Sequence, residues 1–189
     1  MFEFDNITEL LSTLKNGGLI LFPTDTIWGI GCDATNEVAV EKVFQLKQRT
    51  EDNGFVLLAD SIEMVKEYVA QVHPRIDTLL QHHIRPLTVV YDKANNLPTN
   101  VLAENGSVAF RVPVDNFCRQ LVHLFGKPIV ATTANINNEP YPITFGGISS
   151  AIIQGVDYVV RYRREDRKTN EPSVIIRLNE LEELDFIRE

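Results

Sequence analysis

Two short clusters carry side chains able to handle charged ligands. Thr24-Asp25-Thr26 sets two hydroxyls around one carboxylate directly after Pro23, with Trp28, Gly29 and Gly31 close behind. Polar groups released beside glycines suit a cleft where a ligand meets backbone at close range. The same residues are compatible with a turn in which Thr24 and Asp25 bond their own backbone. Lys47 and Arg49 form the second cluster. Two residues apart on a continuing helix, they would point in different directions. If the chain uncoils there, both converge on one anion, arginine supplying a fork suited to phosphate or carboxylate. Cations in a last helical turn also complement the dipole, and that alternative stays open.

The elements that must position these clusters are legible in outline. Gly18-Leu19-Ile20-Leu21-Phe22 is an apolar run halted by Pro23, as a buried strand would be. Ile7 to Leu14 reads as a helix stopped at Asn16-Gly17-Gly18. Asn36 is placed to cap a helix with apolar positions Val38, Ala39, Val43, Phe44 and Leu46, and Gly54 then opens a strand at Phe55–Ala59. Ser61 caps a helix through Tyr68, and His73-Pro74 begins a short one ending near Gln81. Pro86 to Tyr91 is β-rich, followed by a loop from Lys93 to Asn100. Asp115 to Phe125 carries the apolar stripe Phe117, Leu121, Leu124 and Phe125, closed by Gly126. Tyr158–Tyr162, Val174–Leu178 and Phe186–Arg188 read as late strands, with short connections that suggest antiparallel pairing. Strands alternating with helices argue an α/β fold.

Composition narrows the function classes. A chain of 189 residues with 44% hydrophobic content suits one domain, taken as 1–189, with one core. Cys32 and Cys118 show neither metal-ligand nor disulfide-framework spacing, and His73, His82, His83 and His123 show no paired metal spacing. Met1–Asp5 lacks signal-peptide character and no apolar run approaches a membrane span, which predicts a cytoplasmic protein without a membrane partner. The formal net charge of −8 gives no support to an autonomous nucleic-acid binder. Arg161 to Lys168 is the local exception, readable as a solvated loop or as a rim guiding a polyanion such as ATP or tRNA. Trp28 is readable as pocket wall or as core.

A third cluster completes a pattern. Ser107-Val108-Ala109-Phe110-Arg111-Val112-Pro113, then Ala131-Thr132-Thr133-Ala134-Asn135, then Pro172-Ser173-Val174-Ile175, follow Pro23–Gly31 and Lys47-x-Arg49 in order and spacing. Together they resemble the YrdC-like family, from about residue 8 to the chain's end. The resemblance implies a twisted mixed parallel and antiparallel sheet with surrounding helices and a deep concave cleft. It also implies an L-threonylcarbamoyladenylate synthase, joining L-threonine, bicarbonate and ATP into threonylcarbamoyl-AMP and pyrophosphate. By the same likeness Lys47 and Arg49 act on the phosphates and the carbamate. Asn53, Ser107, Thr133, Asn135, Tyr141 and Arg188 surround ATP, while Thr26, Arg111 and Ser173 hold threonine. For Arg111 a strand-end salt bridge is the alternative. Magnesium is expected to accompany ATP, with no metal held by the protein. Expected partners beyond the substrates are a downstream tRNA threonylcarbamoyl transferase and a direct contact with tRNA or double-stranded RNA. The extra C-terminal domain of longer relatives is expected to be absent.

Some positions depart from the family pattern. Ala131 stands at the first serine, Thr50 and Gly54 where prolines are common, and Leu58 at a frequent histidine beside the threonine site. Ile84-Arg85-Pro86 replaces Pro-Gly-Pro, which is expected to set a cation near the fold's centre. The competing functions are a non-catalytic double-stranded RNA-binding module and a nucleotide-binding paralogue of other activity. Retention of Lys47, Arg49, Thr133 and Asn135 favours the synthase.

Overall fold

Side-chain caps set the helix starts. Asn6, Asn36, Ser61, Asp115 and Ser149 each accept a hydrogen bond from the third residue onward, the usual satisfaction of orphan N–H groups. In a computed structural model that describes residues 5–50, 54–167 and 171–188, the helices are α1 (Ile7–Lys15), α2 (Glu37–Lys47), α3 (Ile62–Tyr68), α4 (Pro74–His82), α5 (Asn116–Phe125) and α6 (Ser150–Gly155). His73 caps α4 through its ring, Nδ1 accepting from the Arg75 N–H, with Pro74 at the tolerant first position.

The strands are β1 (Ile20–Phe22), β2 (Gly29–Gly31), β3 (Val56–Leu58), β4 (Leu87–Tyr91), β5 (Val108–Arg111), β6 (Ile129–Thr133), β7 (Tyr158–Val159), β8 (Val174–Leu178) and β9 (Leu184–Arg188). They form one mixed sheet in the order β7-β1-β2-β6-β3-β5-β4-β8-β9. Three neighbour pairs, β1–β7, β3–β5 and β4–β8, are parallel and the remaining five are antiparallel.

The period-2 alternation of strand side chains sorts the core into two layers. Leu21, Leu57, Val130, Phe110, Val89 and Ile176 pack with Val40, Val43, Val65, Ile76 and Ile152 of α2, α3, α4 and α6. Ile20, Phe22, Leu58 and Ile129 face the other way, onto Leu10, Leu14, Phe117 and Leu121 of α1 and α5. Helices α1 and α5 cover only part of their face. Where that cover ends, Val56, Ala109, Arg111, Val90, Ile175 and Arg177, on the strand face opposite the first layer, line a cavity.

The structure corrects several sequence expectations. Gly29–Gly31 is a strand paired on both sides; the hairpin-turn reading holds for Thr24, which bonds its own turn backbone, whereas Asp25 accepts from the distant Val114 N–H. A Cβ on Gly31 would sit 2.7 Å from the Phe22 ring and 2.8 Å from the Val130 carbonyl, so this glycine admits the protein's own neighbours. Helix α6 went unread because it is only six residues long, its last being Gly155. The late strand at Tyr158 stops after two residues, since Tyr162 to Glu165 turns, with Arg163 at φ 61°. Arg85 is exposed, so the cation expected near the centre lies outside it.

The Gly31→Ala variant is expected to lose about 1–3 kcal/mol by overpacking. A lower urea midpoint at unchanged slope checks this, whereas an unaltered midpoint contradicts the tight β1–β2–β6 contact.

Candidate active site

The cavity has a volume of about 590 Å³, within the range of small-molecule sites. Its floor is low because Gly29, Ala109, Ala131 and Val56 are small. From Ser107 to Arg111 along β5 the floor spans ~13 Å at the usual strand rise. Among the described residues its lining holds four arginines (Arg49, Arg111, Arg177 and Arg188) against one carboxylate, Asp92.

At one end Arg111 closes β5, and its side chain is 6% exposed. Its NH1 donates to Thr26 Oγ1 at 2.9 Å, and its NH2 lies 3.4 Å from Asp25 Oδ1. Its Nε is buried without a partner. The loop holding these partners is fastened in turn: Thr24 Oγ1 donates to the Ile27 carbonyl and accepts from the Thr26 N–H, and Asp25 Oδ2 accepts from the Val114 N–H. Beside them, Ser173 Oγ lies 2.7 Å from Thr88 Oγ1, and Arg188 grips the Ser173 carbonyl with Nε at 3.0 Å and NH2 at 2.8 Å. Burial, and then the nearby Arg111 charge, push Arg188 below its ordinary value.

Arg49 stands toward the other end. Gln48 adopts the left-handed conformation at φ 51°, which ends α2 and redirects the chain. The Arg49 guanidinium lies over the Phe55 ring at 4.5 Å and donates to the Gly54 carbonyl. Lys47 is not among the cavity-lining residues and is buried. Its Nζ donates to the carbonyls of Thr133 (2.6 Å) and Asn135 (2.7 Å), with Asn135 Oδ1 at 3.2 Å, and its own carbonyl accepts from Asn137 N–H. Lys47 thus clamps the turn that ends β6. Burial first, and Arg49 second, lower its pKa from 10.5 to about 8.

Thr26, Arg49, Ser107, Arg111, Thr133, Tyr141, Ser173 and Arg188 line the one cavity. Asn135 stands just behind it, bonded to Thr133 Oγ1, Lys47 and the Glu139 carbonyl. Asn53 lies outside the described residues. Trp28 fills both of its readings, walling the cavity while buried in the core, where its ring meets the tilted ring of the partly buried Phe145 at 4.9 Å. Leu58 is wholly buried beneath α5, with Arg111 as its β5 neighbour. Of the basic run, Arg163 pairs with Asp115 at 2.6 Å, and Arg164 donates to the Val159 and Val160 carbonyls; Lys168 lies outside the described residues. Thr88, Asp25 and Arg177 were not singled out as ligand contacts in the sequence. Thr88 had one signal: a hydroxyl inside the otherwise apolar run Leu87–Tyr91.

Such a site suits elongated anionic ligands, held by fixed guanidinium groups over an apolar floor. The comparisons with known proteins agree with that class. The profile of the Sua5, YciO and YrdC family, described as telomere recombination, matches residues 12–189. The chain belongs to this family. A threonylcarbamoyl-AMP synthase of Vibrio campbellii is 30% identical over 173 residues, covering 90% of this chain and 92% of that one. A structure of P. abyssi Sua5 superposes with a TM-score of 0.85 at 25% identity, covering 96% of this chain. This chain spans 55% of that longer one. E. coli YciO shares the fold, with a TM-score of 0.82 at 19% identity, covering 97% of this chain and 88% of that one.

Lys47 gives a pH signature with opposed signs. Its pKa is lower folded than unfolded, so between about 8 and 10.5 the unfolded chain binds more protons and stability from this group rises with pH. Catalytic efficiency should fall as pH rises through about 8, where the clamp on Thr133 and Asn135 loses its charge and one of its three N–H donors. Parallel pH titrations of unfolding and of kcat/KM, with Lys47→Met as control, check this. A high-pH limb that persists in the variant assigns the titration elsewhere.

Proposed function

We infer that the chain is an L-threonylcarbamoyladenylate synthase, a nucleotidyltransferase forming threonylcarbamoyl-AMP and pyrophosphate from L-threonine, bicarbonate and ATP. Likeness to relatives named threonylcarbamoyl-AMP synthase over most of both chains supports it. The observation that carries it is the convergence of Arg49, Arg111 and Arg188 on one cavity that contains no cysteine or histidine among its described lining. A site without those nucleophiles suits chemistry by positioning and charge stabilisation.

In the proposed reaction bicarbonate supplies CO₂ to the threonine amine, giving a carbamate with release of one water that takes up the amine's proton. A carbamate oxygen attacks the α-phosphorus of ATP, and pyrophosphate leaves with most of the developing charge. Arg111, with Thr26 and Ser173, holds the amino acid. Arg49 faces the phosphates, with Asn53, Ser107, Thr133, Asn135, Tyr141 and Arg188 around the nucleotide. Lys47 supports the Thr133–Asn135 turn. Magnesium enters with ATP as part of that substrate. The product would pass to a tRNA threonylcarbamoyl transferase, in the cytoplasm.

Pyrophosphate release should require ATP, bicarbonate and L-threonine together. Arg111→Ala is expected to lower kcat/KM for threonine about a hundredfold, the equivalent of ~3 kcal/mol for a charge-assisted contact, measured below the variant's own reduced Tm, since Asp25 loses its buried partner. Release that ignores threonine, alongside salt-sensitive RNA binding, would favour the RNA-binding module instead.

A further inference from the structure

Two hydroxyls of the cavity wall, Thr26 and Ser173, are each backed by a second hydroxyl from a buried threonine. Hydroxyl groups carry one hydrogen and two lone pairs, so a saturated network fixes which way each points. Thr24 Oγ1 gives its hydrogen to the Ile27 carbonyl at 2.8 Å, since a carbonyl only accepts. At the 2.8 Å contact between Thr24 and Thr26, the hydrogen therefore comes from Thr26. Thr26 Oγ1 also accepts from Arg111 NH1 at 2.9 Å. It keeps one lone pair and no hydrogen for a ligand.

At Ser173 the same accounting gives the reverse result. Thr88 is fully buried, and Ser173 Oγ, at 2.7 Å, is its hydroxyl's side-chain partner among the described residues. Were Ser173 the donor, the Thr88 hydrogen would be buried without an acceptor, at the full desolvation penalty of that group. Thr88 therefore donates. Ser173 Oγ also accepts from Arg188 NH2 at 3.3 Å, which fills its second lone pair. Ser173 keeps its hydrogen and offers only a donor.

We propose that Thr24 and Thr88 are positioning residues that give the two wall hydroxyls opposite hydrogen-bond polarity, Thr26 accepting only and Ser173 donating only. An α-amino acid fits such a pair in one orientation, its nitrogen's N–H toward Thr26 and its carboxylate toward Ser173 and Arg111. A wrongly oriented ligand, or one with a donor at the carboxylate position, leaves buried partners mismatched. This inference rests on the amino-acid site proposed above.

The test compares binding of L-threonine and of L-threoninamide, whose amide nitrogen is a donor, to wild type and to Thr88→Val and Thr88→Ser. Wild type should favour L-threonine strongly. Thr88→Val, which frees the Ser173 lone pair, should narrow that preference about tenfold with ATP binding unchanged, and Thr88→Ser should retain it. Likewise Thr24→Val should weaken L-threonine about tenfold, with Thr24→Ser within threefold of wild type. A preference in Thr88→Val equal to that of wild type overturns the polarity assignment while leaving the amino-acid site standing. Wild type that binds no L-threonine overturns both. Melting curves of the valine variants separate misfolding from lost selectivity, because the amide ratio is read only on folded protein and a structural role alone would not move it.

Discussion

The site depends on keeping a guanidinium group out of water at the end of an interior strand. Arg111 is 5% exposed, and a buried cation is costly unless its donors are met. The loop from Thr24 to Thr26 meets one of them with a hydroxyl and faces the charge with a carboxylate 3.4 Å away. That loop in turn is pinned to the Val114 N–H and to its own Ile27 carbonyl. Nothing in this arrangement requires a ligand, yet it leaves Nε without a partner and a second arginine, Arg188, close enough to be disfavoured by the Arg111 charge. Two like charges held together by the fold are relieved by an anion placed between them.

The sheet explains why this happens in one location. Its strands are helix-covered on one face except at the β9 edge and only partly on the other, where the uncovered part is lined by small residues and arginines. A chain with net charge −8 thereby acquires a cationic interior hollow. Local geometry, rather than total charge, sets the field a substrate meets.

Much of this was legible in the sequence for definite reasons. Caps at Asn36, Ser61 and Asp115 and the stop at Gly126 are local signals, and the helices begin and end where they predict. The apolar runs Ile20–Phe22 and Val174–Leu178 likewise appear as strands. The glycine-bearing strand β2 was not legible, because its pairing partners, Phe22 and Thr132–Thr133, lie in other segments and glycine carries no strand preference. The same limit governs the site. Spacing brought Lys47 and Arg49 together as a pair, whereas Gln48 turns them apart, one into the cavity and one against backbone carbonyls behind it. Thr88 shows its use only once β8 is laid beside β4, bringing Ser173 to it across 85 residues of chain.

The most direct measurement is a crystal structure of the protein with L-threonine and a non-hydrolysable ATP analogue. The account predicts the threonine carboxylate within hydrogen-bond distance of the Arg111 guanidinium, with the phosphates in the same hollow toward Arg49. A carboxylate seated elsewhere, with Arg111 still closed on Thr26 and Asp25 alone, would contradict it.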